Sequence, residues 1–182
     1  MRIISGSLRS LKLQTLSSQT TRPSSDRLKE SLFNAMFMRC DHQTWCDMFA
    51  GSGAIGLEAL SRGAKKVVFI EKDKEALNII KSNIQRCKME EKSLVIYEDA
   101  LNYAQKNPIN EPFNVIFIDP PYDVSLKPLL DNILNTTWYN QDTMFIIERH
   151  AQENIEILRE SFDIVKQRKV GQSQYVIAKI KV

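Results

Sequence analysis

The 182-residue sequence predicts an α/β protein built on a seven-stranded, mostly parallel, doubly wound sheet that ends in an antiparallel hairpin. Three observations lead there. Short runs rich in Val, Ile and Phe alternate with segments whose apolar residues recur at helical spacing, the pattern of repeated strand–helix units. One such run passes through a glycine-rich turn straight into a helix. The last two runs are joined only by Val170-Gly171-Gln172, too short for a crossover, so they pair antiparallel.

At the N-terminus, Ile3-Ile4 and Leu11-Lys12-Leu13 flank a turn around Ser5-Gly6-Ser7 and predict a short hairpin. Thr21-Arg22-Pro23-Ser24-Ser25-Asp26 supplies a helix start with proline, serine caps and an early acid; Leu28, Leu32, Ala35 and Met36 then form the apolar stripe. Residues 1–40 therefore read as a basic hairpin-and-helix extension, and 41–182 as the main domain. Within that domain the predicted strands are 44–49, 66–71, 93–98, 113–118, 143–148, 162–170 and 173–181. Helices are placed at 54–62, 74–88, 100–106, 125–135 and 151–160.

Apolar residues make up 43% of the chain, and a chain of this length buries roughly 70% of its unfolded surface in one core. No stretch approaches the ~20 apolar residues needed to span a membrane, and Met1-Arg2-Ile3-Ile4-Ser5 lacks a signal-peptide core, so a cytoplasmic protein is expected. Cys40, Cys46 and Cys87 have neither zinc-site nor redox-pair spacing and read as small buried hydrophobes. His42 and His150 are isolated, and no metal is expected. Net charge is +3, unevenly spread. Residues 1–40 hold seven Lys/Arg against two acids, 166–182 hold five and no acid, and the stretch between holds 13 basic and 20 acidic residues. Basic ends around an acidic centre suggest a polyanion-binding rim beside a cleft for a cation, the alternative being solvated faces.

The chemistry-bearing residues sit at strand ends. Gly51, Gly53 and Gly56 in Asp47-Met48-Phe49-Ala50-Gly51-Ser52-Gly53-Ala54-Ile55-Gly56 fit G-x-G-x-x-G, a spacing for a tight turn, close ligand approach and helix-on-strand packing. About twenty residues after Gly51, Val67-Val68-Phe69-Ile70 ends in Glu71, where an acid can hold ribose hydroxyls. That signature serves nicotinamide and S-adenosylmethionine sites alike. Asp47 favours the second, because a carboxylate attracts ammonium and sulfonium groups and repels a pyrophosphate. Two more strands end in acids, at Glu98-Asp99-Ala100 and at Asp119, and in an open α/β sheet all four acids would border one cleft.

Asp119-Pro120-Pro121-Tyr122 follows the run Phe113–Ile118. Two prolines fix φ and lack N–H groups, leaving the Asp119 carboxylate and neighbouring carbonyls as acceptors for an exocyclic NH2. Tyr122 offers a stacking face, worth about 1–3 kcal/mol per base in nucleic-acid sites. A rigid turn after a buried strand is the structural alternative.

Thr21-Arg22-Pro23 with Asp26-Arg27 and Leu32-Phe33-Asn34, Asp47 to Gly53 with Gly56-Leu57-Glu58-Ala59-Leu60-Ser61-Arg62-Gly63-Ala64, and Asp119 to Tyr122 together resemble the RsmD-type bacterial 16S rRNA guanine-N2 methyltransferases. The likeness spans essentially the whole chain; Ser24-Ser25 departs mildly from the family's usual residues. It implies a class I, Rossmann-like methyltransferase fold that uses S-adenosylmethionine, yields S-adenosyl-L-homocysteine and methylates one guanine of 16S rRNA during subunit assembly. It further implies a cofactor site at Asp47, Phe49, Gly51 and Gly53, with Glu71 at the ribose, Asp99 and Ala100 at the adenine, and the base at Asp119 to Tyr122.

Guanine N2 is a poor nucleophile because its lone pair is delocalised into the ring. The Asp119 carboxylate and the Pro120 carbonyl would hold its two N–H groups and aim the lone pair, with reacting atoms about 3–3.5 Å apart. Asp119, Pro120 and Tyr122 are thus the expected catalytic residues. Arg9, Lys12, Arg22 and Arg27, with Tyr122, are the expected RNA contacts, Arg22 being equally placed for the cofactor's carboxylate. A monomer acting on 16S rRNA or an assembling small subunit is the expectation. An adenine-N6 methyltransferase of RNA or DNA, a protein-glutamine methyltransferase and a non-catalytic rRNA-binding assembly factor are the rivals.

Overall fold

The computed structural model describes residues 1–16, 23–36, 40–106, 111–121 and 123–181. Helix α1 (Pro23–Ala35) precedes β1 (Thr44–Asp47), α2 (Ala54–Ser61), β2 (Lys66–Glu71), α3 (Lys74–Cys87), β3 (Ser93–Tyr97) and α4 (Ala100–Lys106). β4 (Val115–Ile118), α5 (Leu126–Leu134), β5 (Met144–His150), β6 (Phe162–Val170) and β7 (Ser173–Ile180) complete the chain. The seven strands form one sheet in the order β3-β2-β1-β4-β5-β7-β6. β1 to β5 run parallel, and β7 pairs antiparallel with both β5 and β6. The class I methyltransferase fold expected from the resemblance is the fold observed.

Alternating side chains divide the core into two layers, because successive strand residues face opposite sides of a sheet. Trp45, Val67, Phe69 and Phe117 face α1, α2 and α3 together with Ile3 and Leu13 of the N-terminal segment. Cys46, Val68, Ile70, Ile116 and Ile118 face α4 and α5, with Trp138 and Phe162 closing that layer. The N-terminal hairpin is narrow, held by the antiparallel bridge Arg2↔Lys12, and its Ile3 is completely buried. All three cysteines are buried and free.

One element changes type and several strand bounds move, β1 ending at Asp47 rather than 49 and β4 beginning at Val115 rather than 113. The predicted helix 151–160 is a turn followed by a 3-10 segment, Glu156–Glu160. Asn154 accepts the Glu156 N–H through its side chain, and Glu153 is drawn to Arg149, so local side-chain bonds displace a helical start. β5 runs on to His150 rather than stopping at 148, because β7 supplies pairing as far as His150↔Ser173. Among the described residues, no helix is long and apolar enough to cross a membrane.

Candidate active site

Five parallel strands bring their carboxyl ends to one edge of the sheet, and a cleft of about 540 Å³ opens there. Asp47 ends β1, Glu71 ends β2, Glu98 follows β3 and Asp119 follows β4; all four line the cleft, with Phe49, Gly51, Ala100 and Pro120. Glu148 of β5 and Asp73, just past β2, line it too and are absent from the sequence-derived site. The rule that found the others, an acid at the end of a predicted strand, applied equally to 143–148. Asp99 itself is not in the lining: its carboxylate accepts the Leu101 N–H at the start of α4 and pairs with Lys72 at 3.1 Å.

The glycine loop is built by the carboxylates around it. Glu71 Oε2 accepts the Gly51 N–H at 2.7 Å and Oε1 accepts the Asp73 N–H at 2.8 Å. Asp47 Oδ2 accepts the Gly56 N–H at 3.1 Å. Gly51 has φ +54° and a Cβ built there would meet nothing within 4 Å, so the loop leaves open space on the cleft side. Gly56 serves packing instead, since a Cβ there would lie 2.3 Å from the Phe69 ring. Gly53 caps α2 behind the lining. Asn83, completely buried on α3, fastens the arrangement by donating to the carbonyls of Ser52 and Gln14.

Glu98 is paired with Lys106, but the acids deeper in the cleft make no ion pair among the described residues. Burial pushes the Asp47 carboxyl up to about 7, opposed by the Gly56 N–H and reinforced by the charges of Asp119 and Glu71. Asp119 and Glu148 are raised as well, each first by the surrounding protein; Arg149 opposes the rise at Asp119, and the charge of Asp119 adds to the rise at Glu148. The Asp119 side chain is nevertheless open to the cleft, so water tempers its rise until a ligand covers it. Two lysines in the lining neutralise little of this. Lys72 is held by Asp99, and Lys29 is committed to Glu58 at 3.4 Å.

Arg149, a residue the sequence offered no motif for, supports the Asp119-Pro120-Pro121 turn. Its Nη1 donates to the carbonyls of Pro120 and Pro121 at 3.3 and 3.4 Å, and its Nε pairs with Glu153 at 2.6 Å. Only 7% exposed, the guanidinium holds the Pro120 carbonyl and shares the Pro121 carbonyl with the Val124 N–H, which donates to it at 3.0 Å. A carbonyl oxygen has two lone pairs, so Pro120 keeps one for a ligand.

Arg9, Lys12 and Arg27 are exposed, as phosphate contacts must be. Arg22 and Tyr122 lie outside the described residues. Lys29, one of the basic residues counted toward the N-terminal charge, contributes nothing to that surface. It is 2% exposed, bound to Glu58 and to the Arg2 carbonyl, and burial lowers its pKa.

A G-x-G-x-x-G loop, an acid at the end of β2 and an Asp-Pro-Pro turn, set along the carboxyl edge of this sheet order, are the marks of a class I methyltransferase. Comparison with known proteins agrees. Residues 1–179 match the family described as conserved hypothetical protein 95. The chain is 39% identical over 179 residues to ribosomal RNA small subunit methyltransferase D of Haemophilus influenzae, covering 96% of this chain and 91% of that protein. Among solved structures, the putative methyltransferase yhhF from Escherichia coli superimposes with a TM-score of 0.83 at 26% identity, covering 100% of this chain and 98% of that one. A putative methylase from Haemophilus influenzae does so with a TM-score of 0.81 at 32% identity, with the same coverage. The chain belongs to the conserved hypothetical protein 95 family, the RsmD family that its motifs resemble.

Proposed function

We propose that this protein methylates the exocyclic N2 amine of a guanine in 16S rRNA, free or in an assembling small subunit, using S-adenosylmethionine. The observation that carries the proposal is that the Asp119 carboxylate and the Pro120 carbonyl stand in the same cleft as the Gly51 loop and Glu71. The names of the relatives support the choice of rRNA.

The residues present suit the cofactor. Open space at Gly51 admits a ligand against the backbone, and six acids in the lining, of which only Glu98 pairs with a cation among the described residues, favour a positively charged one. Asp47, Phe49 and Gly51 would hold its amino-acid end and core, with Gly53 shaping the loop behind them, Glu71 the ribose, and Ala100 the adenine, with Asp99 fixed behind it by Lys72. Bound there, S-adenosylmethionine supplies a methyl group made electrophilic by the adjacent sulfonium and leaves as S-adenosyl-L-homocysteine.

Asp119 and the Pro120 carbonyl each accept one N–H of the amine, which holds the nitrogen lone pair toward the cleft. Arg149 keeps the proline carbonyls from rotating away. As the nitrogen gains its new bond it becomes acidic, and Asp119, whose pKa lies above the ordinary carboxylate range, is a suitable acceptor for the departing proton. Tyr122 would stack on the base, and Arg9, Lys12, Arg22 and Arg27 would contact RNA phosphates. The target guanine must be unpaired or flipped, at a cost of a few kcal/mol, since N2 takes part in Watson–Crick pairing.

The test supplies labelled cofactor with naked 16S rRNA, small ribosomal subunits, DNA and protein in separate reactions, then identifies the modified nucleoside by mass. N2-methylguanosine in rRNA is expected. N6-methyladenosine, or label in DNA or protein alone, overturns the assignment.

A further inference from the structure

A second concave surface lies across α1 from the cleft. Its volume is about 380 Å³, and Arg27, Glu30, Ser31 and Asn34 of α1 face Lys166 and Arg168 of β6 across it. Resting on the rRNA reading above, we propose that this groove is a binding site for the phosphodiester backbone of the RNA strand whose guanine enters the cleft.

Sheet register places the groove. Continuing the β4–β5 pairing one residue beyond Ile118↔Ile147 sets Asp119 beside Glu148. Glu148 pairs with Tyr175, and Tyr175 pairs with Arg168. Asp119 and Arg168 therefore belong to one row across the sheet, three strand spacings or about 14 Å apart. Residues paired across strands share a face, and Tyr175 hydrogen-bonds both Ser31 Oγ and the Ser31 carbonyl at 3.0 Å, so Arg168 stands on the α1 side. α1 is the wall between the two hollows. Leu28 and Lys29 line the cleft, while Arg27, Glu30, Ser31 and Asn34 line the groove.

The chemistry suits an anion with repeating charge. Three cationic side chains meet one acid, Glu30, and Arg27, Lys166 and Arg168 make no ion pair among the described residues. Asn34 adds a side-chain amide donor of the kind that contacts phosphate oxygens. The arrangement also joins the two basic ends of the sequence, which reach one surface only because β7 places β6 at the sheet edge. The competing role for Lys166 and Arg168 is protection of that open edge from pairing with another strand.

Binding of 16S rRNA across a salt series separates the two roles. The Lys166→Ala/Arg168→Ala protein is expected to bind more weakly, with the slope of log affinity against log salt flattened by about 1.4–1.8, or 0.7–0.9 for each lost phosphate contact. Cofactor affinity should stay at the wild-type value. Glu30→Gln, which removes the one acid among the described residues lining the groove, should tighten RNA binding several-fold, a gain that misfolding cannot imitate. An unchanged slope in the double variant, while the wild-type protein methylates the same RNA, overturns the groove and leaves the guanine assignment standing; concentration-dependent self-association of that variant would then identify edge protection. Wild-type protein that labels only DNA or protein overturns both readings.

Discussion

Two regions of this molecule bury carboxylates, and they do so in opposite ways. Beneath the N-terminal segment, Glu58 has no exposed surface. Its Oε1 meets Arg62 Nε at 2.7 Å, its Oε2 lies 3.4 Å from Lys29 Nζ, and the N–H groups of Ile4 and Ser5 donate to the same carboxylate. Along the cleft, Asp47 is 1% exposed and has one backbone N–H, with Asp119 and Glu71 as neighbours of like sign. A buried charge with every lone pair used joins pieces of the fold, here the hairpin, α1 and α2. A buried acid short of partners, set among others of like sign, costs stability in the free protein and is arranged for a ligand that supplies the missing positive charge or donors.

The largest effect expected of any change is at Asp119. Asp119→Ala should lower methyl transfer by about 10²–10⁴-fold, the range for a positioned proton acceptor, while cofactor affinity shifts no more than a few-fold. Steady-state rates alongside calorimetry measure both, and near-normal turnover would remove Asp119 from the chemistry. Asp119→Asn, which keeps an acceptor oxygen, should retain reduced, measurable activity.

Glu58→Ala strands Lys29 and Arg62 without their shared partner, and a loss of about 3–5 kcal/mol in urea unfolding is expected. No loss would mean that the ionic cluster is incidental to folding.

Asp47→Asn should act in the opposite direction. The folded-state pKa of Asp47, about 7, lies above its unfolded value, so its contribution to stability is complete below about pH 4 and is lost as pH rises through about 7. The Asn variant can still accept the Gly56 N–H without carrying charge. It should therefore gain stability over the wild type as pH rises from about 4 to about 7 and keep that gain above, with a ceiling of about 4 kcal/mol at 1.36 kcal/mol per pKa unit. Its cofactor affinity should fall. Unfolding curves with equal wild-type and variant stability at pH 4 and pH 8 would contradict the proposed strain in the cleft.

Glu71→Ala is the mildest of the four, expected to weaken cofactor binding by roughly 1–3 kcal/mol, the scale for hydrogen bonds to a charged group. Because Glu71 also holds the Gly51 N–H, Glu71→Gln sharpens the result: it can accept from one backbone N–H while losing the charge. Equal losses in both variants would place the effect in the carboxylate charge; a smaller loss in Gln would place it in the loop. Unchanged affinity in Glu71→Ala would move the ribose elsewhere.

The parts of this protein that the chain specified by itself are those governed by short-range rules. Strand–helix alternation, the G-x-G-x-x-G turn and the too-short link at Gly171 depend on residues a few positions apart, so the parallel sheet, the glycine loop and the terminal hairpin were legible before any contact was known. The same holds for four of the six cleft acids, because parallel strands carry their ends to one edge. The roles of Arg149 and Lys29 were not legible. Arg149 lies 28 residues beyond Pro121 and meets the proline carbonyls only because β5 packs beside β4. Lys29 read as one more surface cation until Glu58, 29 residues away on another helix, enclosed it. Likewise Asp99 ended a strand as the pattern required, yet the start of α4 and Lys72 turned its carboxylate aside. Local pattern determines which elements form and where their ends point. Which charges find partners, and so which remain for a ligand, is decided by packing between elements distant in sequence, since pairing needs a few ångströms of proximity that no local rule encodes.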